Sequence, residues 1–437
     1  MHTMSRTKRT IPEFILALDR MPDQERLFHG IRRAIASLAS FYGFSHMSTS
    51  FMEDAATFFT LAKAGMLDER QLADERTARQ SGVTPRPSVA LSLIRAYATH
   101  AMHELPHPLK LSGEGEVVYA PSGARGVSEG RYEWGMVMIG EEGPIAEAEL
   151  IQVLTKAVRE AGVDTAAMLL RVNATGCRQC RPLFRAPFTA YFRNRLSRMC
   201  RTCRTEFKRV PTALLRCKEE QCQIVASGAP QMLDFLCDVC KKHMKGILEF
   251  LDEAQIPYFL DGKLFREGSW FTTILFELSV TPSGLEKNSE APALVIGEGG
   301  RISRAAEIII GKPVEAVSAT LFFDSTLRAL SQGGKKASAA PRTRVFLVQL
   351  GDLAKRRSLT LIEDLRRGGI DMRESLGRDS VKSQLKIAET IGAEVALILG
   401  QKEALEHTVI VREVASGIQE TIPQERLVEF LKRKLKK

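Results

Sequence analysis

The stretch "LGRDSVKSQLKIAETIGAEVALILGQKEALEHTVIVREVASGIQETIP", residues 376–423, carries the clearest pattern in the chain. It reads as a helix, a buried strand that ends at Gly400, and a hairpin that turns at Ser416 and Gly417. A strand and a helix precede it, and a basic helix follows it. Because strands and helices alternate, the pattern predicts an α/β domain over 344–437 with a mixed sheet covered by helices.

The region before this domain has a different pattern. Residues 331–343, "SQGGKKASAAPRT", are small, polar and charged, which predicts a linker after a first domain at 1–330. In that domain the periodicity predicts a helix over 25–41, a hairpin with a long loop over 115–140, and a helix over 144–163 that stops at a glycine. Strands follow after residue 256, so we expect an α+β domain.

The totals of the chain limit its class. Its 437 residues are enough for two or three domains with their own cores. The sequence lacks the apolar stretch of a signal peptide or of a membrane span, so we expect a cytoplasmic protein with no membrane partner. The net charge of +10 favours polyanionic partners.

All eight cysteines fall into four close pairs within one segment, 177–245. Two to four residues between the cysteines of a pair is typical of thiolates that share a zinc ion, and four thiolates close a structural site. The sequence therefore predicts an insertion with one or two structural zinc ions. Pairs that are buried without metal remain an alternative, and redox chemistry is a weaker one. The predicted ligands are Cys177, Cys180, Cys200, Cys203, Cys217, Cys222, Cys237 and Cys240.

The same insertion is strongly basic. Residues 177–222 hold twelve arginines and lysines against three glutamates. Such a surface pairs with phosphates, so we predict that it binds RNA. The aromatic residues Phe184, Phe188, Tyr191 and Phe192 lie among these charges, and we interpret them as the small core of the insertion. The candidate RNA contacts are Arg193, Arg195, Arg198, Arg201 and Arg204.

The stretch at 376–423 resembles the anticodon-binding domain of histidyl-tRNA synthetase, and segments upstream resemble the other motifs of that family in collinear order. "FYGFSHMSTSFME" resembles the first motif, "RPSVALSLIRAYATHAM" the Arg-Pro-Glu-Gly-Thr helix, and "PLKLSGEGEVVYAP" with "GRYEWGMVMIGEE" the second motif. "FREGSWFTTILFE" resembles the Arg-Gly-Leu-Asp-Tyr-Tyr loop, "GEGGRI" the glycine-rich turn, and "AVSATLFFDSTLRAL" the third motif.

The resemblance implies a fold class and partners. It implies an α+β protein with a class II synthetase-like antiparallel-sheet core, a zinc-binding insertion, and a C-terminal α/β anticodon-binding-like domain. It also implies a homodimer and tRNA or another structured RNA as the partner. In the family the segment that matches "GRDSVKSQLKIAE" faces the anticodon side, so the candidates carried over to this chain are Arg378, Lys382, Gln384 and Lys386.

The chain departs from the family at the positions that carry its chemistry. The arginine and acid of the second motif are Tyr119 and Pro121, and the arginine of the third motif is Ser325. The ammonium-binding glutamate of the Arg-Pro-Glu-Gly-Thr helix is Ser88. Losing one electrostatic group of this kind costs about 10²–10³ in rate. The sequence thus predicts a degenerate paralogue that no longer makes histidyl-adenylate, and binding of ATP and histidine stays open.

Parts of the family's pocket remain in the sequence. Arg266 matches its extra catalytic arginine, and Gly299, Gly300 and Arg301 match its glycine-rich turn. We interpret the two glycines mainly as positions where the backbone conformation needs glycine, and only secondly as ligand contacts.

Two other functions fit the resemblance. A divergent, active histidine-tRNA ligase would need a replacement arginine, for which Arg125 and Arg131 are the local candidates. A regulatory subunit like the synthetase-like partner of ATP phosphoribosyltransferase would also lack the chemistry. The retained anticodon-like domain favours an RNA-binding pseudo-synthetase.

Overall fold

A computed structural model describes most of the chain. The protein folds into two compact units, Met1–Ala337 and Ser338–Lys437. Most of the predicted linker lies outside the described residues. These are 20–67, 72, 80–119, 129–208, 210–265, 269–281, 293–332, 343–375 and 380–435.

The larger unit is an α+β structure. Its strands are Ser45–His46 (β1), Met52–Asp54 (β2), Val83–Pro85 (β3), Leu109–Tyr119 (β4), Glu129–Ile139 (β5), Met168–Gly176 (β6), Phe259–Leu260 (β7), Thr272–Val280 (β8), Leu294–Arg301 (β9) and Ala316–Phe322 (β10). Its described helices are Pro22–Phe41 (α1), Ala55–Lys63 (α2), Val89–Thr99 (α3), Ile145–Ala161 (α4), Cys180–Arg193 (α5), Arg201–Glu206 (α6), Glu220–Ser227 (α7), Asp238–Glu253 (α8), Ser303–Ile310 (α9) and Phe323–Gln332 (α10).

Eight of these strands form one sheet in the order β1-β4-β5-β10-β9-β8-β6-β7. The six inner strands pair antiparallel, and β1 and β7 pair parallel to their neighbours at the two edges. Strands β4 and β5 form the predicted hairpin, with Leu109 opposite Ile139 at its base. The antiparallel-sheet prediction is therefore confirmed for the inner strands, and the edges make the sheet mixed.

Each face of this sheet is covered by helices. Along β5, Trp134 and Met136 pack into one apolar cluster with α1 and α4, whereas Val137 packs into a second cluster with α2, α3 and α9. The alternation follows because successive side chains of a strand point to opposite faces. Helix α4 ends at Gly162, whose φ of +94° is left-handed, as expected for a glycine stop.

The smaller unit has the predicted α/β architecture. Its strands are Val345–Gln349 (β11), Met372–Glu374 (β12), Val395–Leu399 (β13), Thr408–Glu413 (β14) and Gln419–Pro423 (β15), and its helices are Gly351–Arg367 (α11), Val381–Thr390 (α12), Gln401–Glu406 (α13) and Gln424–Lys434 (α14). The sheet order is β12-β11-β13-β14-β15, with the first three strands parallel and the last two antiparallel to their neighbours. The mixed sheet is confirmed, while the short β12 and α13 were not predicted.

Candidate nucleic-acid interface and metal centres

The eight cysteines converge into two clusters of four sulfurs. In each cluster, all four sulfur atoms lie within 4.8 Å of one another. The clusters are nested along the chain, because one joins the first and last cysteine pairs and the other joins the two middle pairs. The outer cluster is Cys177, Cys180, Cys237 and Cys240, and the inner cluster is Cys200, Cys203, Cys217 and Cys222.

The outer cluster is built where the insertion leaves and rejoins the core. Cys177 directly follows β6 and Gly176, whose φ of +69° lets the chain turn. Cys180 begins α5, and Cys237 is the residue directly before α8. The backbone N–H of Cys237 donates to Sγ of Cys180 at 3.1 Å, and Sγ of Cys177 lies 3.5 Å from that of Cys180 and 3.9 Å from that of Cys237.

The inner cluster uses shorter elements. Cys200 caps α6, and its backbone N–H donates to Sγ of Cys222 at 3.2 Å. The N–H of Cys203 donates back to Sγ of Cys200 at 3.4 Å, and the sulfurs of Cys200 and Cys217 are 3.8 Å apart. Such N–H donors favour a thiolate over a thiol.

The donor set of both clusters fits zinc. Four thiolates at a Zn–S distance of about 2.3 Å in tetrahedral geometry lie about 3.8 Å apart, close to the sulfur separations here. Burial raises the pKa of Cys180, Cys203, Cys222 and Cys240. Burial alone would also raise that of Cys177, but backbone N–H groups lower its pKa to about 7. Each cluster could therefore hold one metal ion.

The aromatic residues of the insertion are core residues, but they belong to one apolar cluster shared with the rest of the larger unit rather than to a small core of the insertion alone. Phe184, Phe188 and Phe192 are buried along one face of α5. Tyr191 is half-buried, and its hydroxyl donates to the carbonyl oxygen of Val225 at 2.8 Å. The three phenylalanine rings are therefore covered within the protein.

Four of the five candidate arginines of the insertion are exposed. These are Arg193, Arg198, Arg201 and Arg204. The fifth, Arg195, is half-buried, with its guanidinium 3.9 Å from the centre of the Tyr191 ring and bonded to the Tyr191 carbonyl. Two of the exposed side chains come from α6, the helix that also carries Cys203.

In the smaller unit, the three candidate RNA contacts on α12 differ in their exposure. Lys382 and Lys386 are exposed, one helical turn apart. Gln384 is fully buried, and its amide donates to the carbonyl of Gln349 at 2.8 Å and accepts from its N–H at 3.1 Å. Its side chain thus has no surface for RNA in this structure. Arg378 lies outside the described residues.

The candidate pocket arginine Arg301 is used inside the core. It is 4% exposed, and each of its five N–H groups has a partner. Glu147 accepts two of the bonds at 2.8 and 2.9 Å, Glu315 accepts one, and the carbonyls of Glu141 and Gly143 accept the others at 3.2 Å. The guanidinium is therefore saturated by the protein.

Glu147 is the centre of this buried network. It is fully buried on α4 and also bonds Nε2 of His243 on α8 at 2.9 Å. Burial alone would raise the pKa of Glu147, but the bonds from His243 and Arg301 outweigh burial and lower it. No sequence pattern relates these three residues, so sequence reasoning missed Glu147 and His243.

The candidate glycines lie within strand β9 rather than in a turn. A methyl group at Gly299 would overlap the ring of Phe276 and the carbonyl oxygen of Ser318, and one at Gly300 would overlap the carbonyl of Ile274. Glycine is needed at both positions because neighbouring strands and side chains approach so closely. Arg266 lies outside the described residues.

The residues that stand at the family's motif positions make local structural contacts. Ser88 caps α3, and its hydroxyl accepts from the N–H of Ala90 at 3.2 Å. Next to it, Glu133 is fully buried and accepts from the N–H of Val89 at 3.1 Å. Ser325 lies in the first turn of α10 and is half-buried. Tyr119 ends β4, whereas Pro121 lies outside the described residues.

The possible replacement arginine Arg131 is held by its neighbours. Its Nε donates to Glu133 at 2.8 Å, and its guanidinium lies 3.8 Å from the centre of the Phe322 ring. Only 17% of its side chain is exposed. Arg125, the other candidate, lies outside the described residues.

Two family models match the chain. The one described as Histidyl-tRNA synthetase matches residues 17–174, and the one described as Anticodon binding domain matches residues 344–434. A histidine–tRNA ligase of Dehalococcoides mccartyi is 27% identical over 418 residues, which cover 95% of this chain and 98% of that relative.

Solved structures show the same fold. The apo histidyl-tRNA synthetase of S. aureus matches with a TM-score of 0.71 and 22% identity over 97% of this chain and 100% of that one. A protein described as an ATP phosphoribosyltransferase regulatory subunit/histidyl-tRNA synthetase, from Bacillus halodurans, matches with a TM-score of 0.57 and 16% identity over 87% of this chain and 96% of that one. The architecture is that of class II synthetases with an anticodon-binding domain. Among the described residues, none of the helices is long and apolar enough to cross a membrane.

Proposed function

Because the chain is a histidyl-tRNA synthetase-like protein with an anticodon-binding domain, we propose that it binds tRNA or a similarly structured RNA. The observation that carries this proposal is a set of four exposed arginines on the segment that also carries Cys200 and Cys203 of the inner cluster, namely Arg193, Arg198, Arg201 and Arg204. Exposed cations that lie close together are available for phosphates. The lysines of α12 add a second basic face on the anticodon-binding-like domain, 344–437.

We further propose that the protein does not activate histidine. Transfer of a carboxylate to the α-phosphate of ATP needs cations on the phosphates. The family's positions for them hold Tyr119 and Ser325, while Arg301 and Arg131 bond glutamates of the core. At the position of the family's ammonium-binding glutamate, this chain has Ser88, which caps α3. These features support a pseudoenzyme that no longer makes histidyl-adenylate.

The alternatives have less support. An active histidine-tRNA ligase, the activity for which the relatives are named, would need a replacement arginine. This would be Arg125, which lies outside the described residues, or Arg131, which would have to leave Glu133 and Phe322. A regulatory subunit is consistent with the likeness to the Bacillus halodurans protein. The match of the anticodon-binding model over residues 344–434 favours RNA binding over a regulatory subunit. It does not count against the ligase, which would bind tRNA as well.

Two zinc ions, one in each cluster, form part of this proposal. The metal would cross-link thiolates and hold the insertion, 177–245, in shape. Because four sulfurs fill a tetrahedral site, neither ion would have a position for substrate. The role is structural.

We also propose that the chain forms a homodimer through the face made by α1 and the segment after it. Phe41 is 84% exposed, and Phe51 and Met52 are about half as exposed on the same segment. Light scattering should give twice the mass of the chain. Phe41→Ser should shift the protein toward monomer, whereas Leu359→Ser, at an exposed leucine of α11, should not. A monomeric parent protein would contradict the dimer.

Binding to total tRNA over a salt series tests the RNA proposal. We expect log K to fall linearly with log salt, with a slope that grows by about one unit per phosphate contact. An affinity that does not depend on salt would contradict binding through the basic face.

Histidine-dependent exchange of pyrophosphate into ATP tests the second proposal. Exchange above background by the metal-loaded protein would show that it activates histidine and would contradict this proposal.

A further inference from the structure

The two cysteine clusters differ in how firmly the surrounding protein holds them. The outer cluster lies between β6 and α8, which are both packed into the core. Met244, Ile247 and Leu251 of α8 are buried there, and His243 of the same helix bonds Glu147. These contacts hold the ligand-bearing segments of the outer cluster together without metal.

The inner cluster has less support from its own segments. Its ligands lie on or beside α6 and α7, of six and eight residues, and the short 3₁₀ helix 211–216. Isolated helices shorter than about 12–15 residues are marginal in water. Substructures of this size usually need a metal or disulfides to persist. Leu214 and Val225, beside this cluster, are buried in the same apolar core as α8, whereas Cys203 is the only buried residue of α6. The orientation of α6 therefore depends on the bridge between the four sulfurs.

The same bridge positions part of the basic face. Arg201 and Arg204 are exposed on α6, on either side of the ligand Cys203. Arg198 is exposed two residues before Cys200. When the inner sulfurs separate, α6 loses its fixed orientation, and these three cations become independent side chains. Preorganised charges bind a polyanion better because their ordering cost has been met before binding.

We infer that metal occupancy of the inner cluster controls the affinity of the insertion for RNA, whereas the outer cluster fastens the insertion to the core. This inference rests on the proposed RNA-binding function. It makes the inner cluster a metal-dependent regulator of one binding face. The core fold and the second basic face on α12 do not depend on it.

The double variant Cys217→Ser/Cys222→Ser tests the inference. We expect it to retain one zinc ion per chain instead of two, measured by mass spectrometry of the native protein. Both tryptophans of the chain, Trp134 and Trp270, lie outside the insertion, so their fluorescence reports the core and should be unchanged. The affinity for total tRNA should fall at least tenfold, and the salt slope should decrease by about two to three units.

A matched variant separates charge from metal. Arg201→Ala/Arg204→Ala should keep two zinc ions and the same tryptophan fluorescence, and should lose about two units of salt slope. In the parent protein, stepwise chelation should remove one zinc ion first, and the loss of tRNA affinity should follow that first ion.

The outcomes are distinguishable. Salt-dependent tRNA binding by the metal-loaded parent supports the proposed function, and its absence removes that function and this inference with it. If the parent binds but the cysteine variant binds with the same affinity and slope, the inference alone is overturned. It is also overturned if the first zinc ion leaves with no loss of affinity, or if its release changes the tryptophan fluorescence.

Discussion

The candidate pocket arginines of the core and the arginines of the cysteine-rich insertion are used in opposite ways. In the core, Arg301 and Arg131 point inward and bond glutamates. In the insertion, Arg201 and Arg204 are exposed on α6, the helix that carries Cys203. The core arginines are thus paired inside the protein, whereas those of the insertion are exposed to solvent.

Helix α12 repeats the contrast within one element. Gln384 faces inward and satisfies the backbone of Gln349, whereas Lys382 and Lys386 face solvent. A polar residue in a matching motif is therefore not by itself a contact residue. Its exposure decides whether it can touch a ligand.

The largest expected effect comes from breaking the buried network of the core. Glu147→Ala leaves the guanidinium of Arg301 buried without its main partner, which should cost about 3–5 kcal/mol of unfolding free energy. Urea denaturation followed by tryptophan fluorescence measures this, because both tryptophans lie in the larger unit. Glu249→Ala, which removes a carboxylate from an exposed pair with Lys245, is the control and should stay within about 0.5 kcal/mol. A loss below about 1 kcal/mol for Glu147→Ala would mean that Arg301 is not held as described.

A smaller loss should follow from filling the close contact at Gly299. Gly299→Ala forces a methyl group against the ring of Phe276 and should cost about 1–3 kcal/mol in the same assay. Gly30→Ala is the matched control, because nothing lies near its added methyl group on α1. It should stabilise the protein by about 0.5–1 kcal/mol. Equal effects of the two changes would refute the packing explanation.

Sequence reasoning worked wherever a short-range pattern carries the information. The alternation of apolar runs predicted β11, β13 and the β14–β15 hairpin, since buried strands and helices leave periodic traces within a few residues. Cysteine spacing predicted thiolate clusters in the same way. The cysteine spacing could not indicate that the first and fourth cysteine pairs form one cluster, because that depends on how β6 and α8 approach each other in the fold.

The rest of the candidate site depended on contacts that are distant in sequence. Glu147 and Arg301 are 154 residues apart, so the residues themselves gave no sign that the arginine is saturated. Gln384 is different, because it shares helical spacing with the buried Ala388. That spacing was visible in the sequence and would have placed Gln384 on the inner face of α12.

Gln384→Ala and Lys382→Ala sharpen the contrast within α12. The first leaves the N–H and carbonyl of buried Gln349 without these partners and should cost the smaller unit about 1–2 kcal/mol. Amide hydrogen exchange in β11 should speed up about tenfold, while tRNA affinity of the folded protein is unchanged. Lys382→Ala should leave exchange unchanged and reduce the salt slope of tRNA binding by about one unit. The opposite result for the two variants would place the RNA contact at Gln384.

The smallest effect concerns a carboxylate that the core uses only for local structure. Asp54 caps α2 and accepts from the N–H of Thr57 at 2.8 Å, and hydrogen bonds with Thr57 lower the pKa of the Asp54 carboxyl. Asp54→Ala should therefore cost about 1 kcal/mol at neutral pH.

Because the pKa of Asp54 is lowered in the folded state, this stabilisation is complete above the ordinary pKa of about 3.9 and disappears as the pH falls through the folded value. Urea denaturation of the parent protein and the Asp54→Ala variant between about pH 7 and pH 3 should show that their difference in unfolding free energy becomes smaller below about pH 4. Any acid-induced loss of metal affects both proteins equally, so a gap that stayed constant down to the lowest pH would show that the cap does not act through its charge.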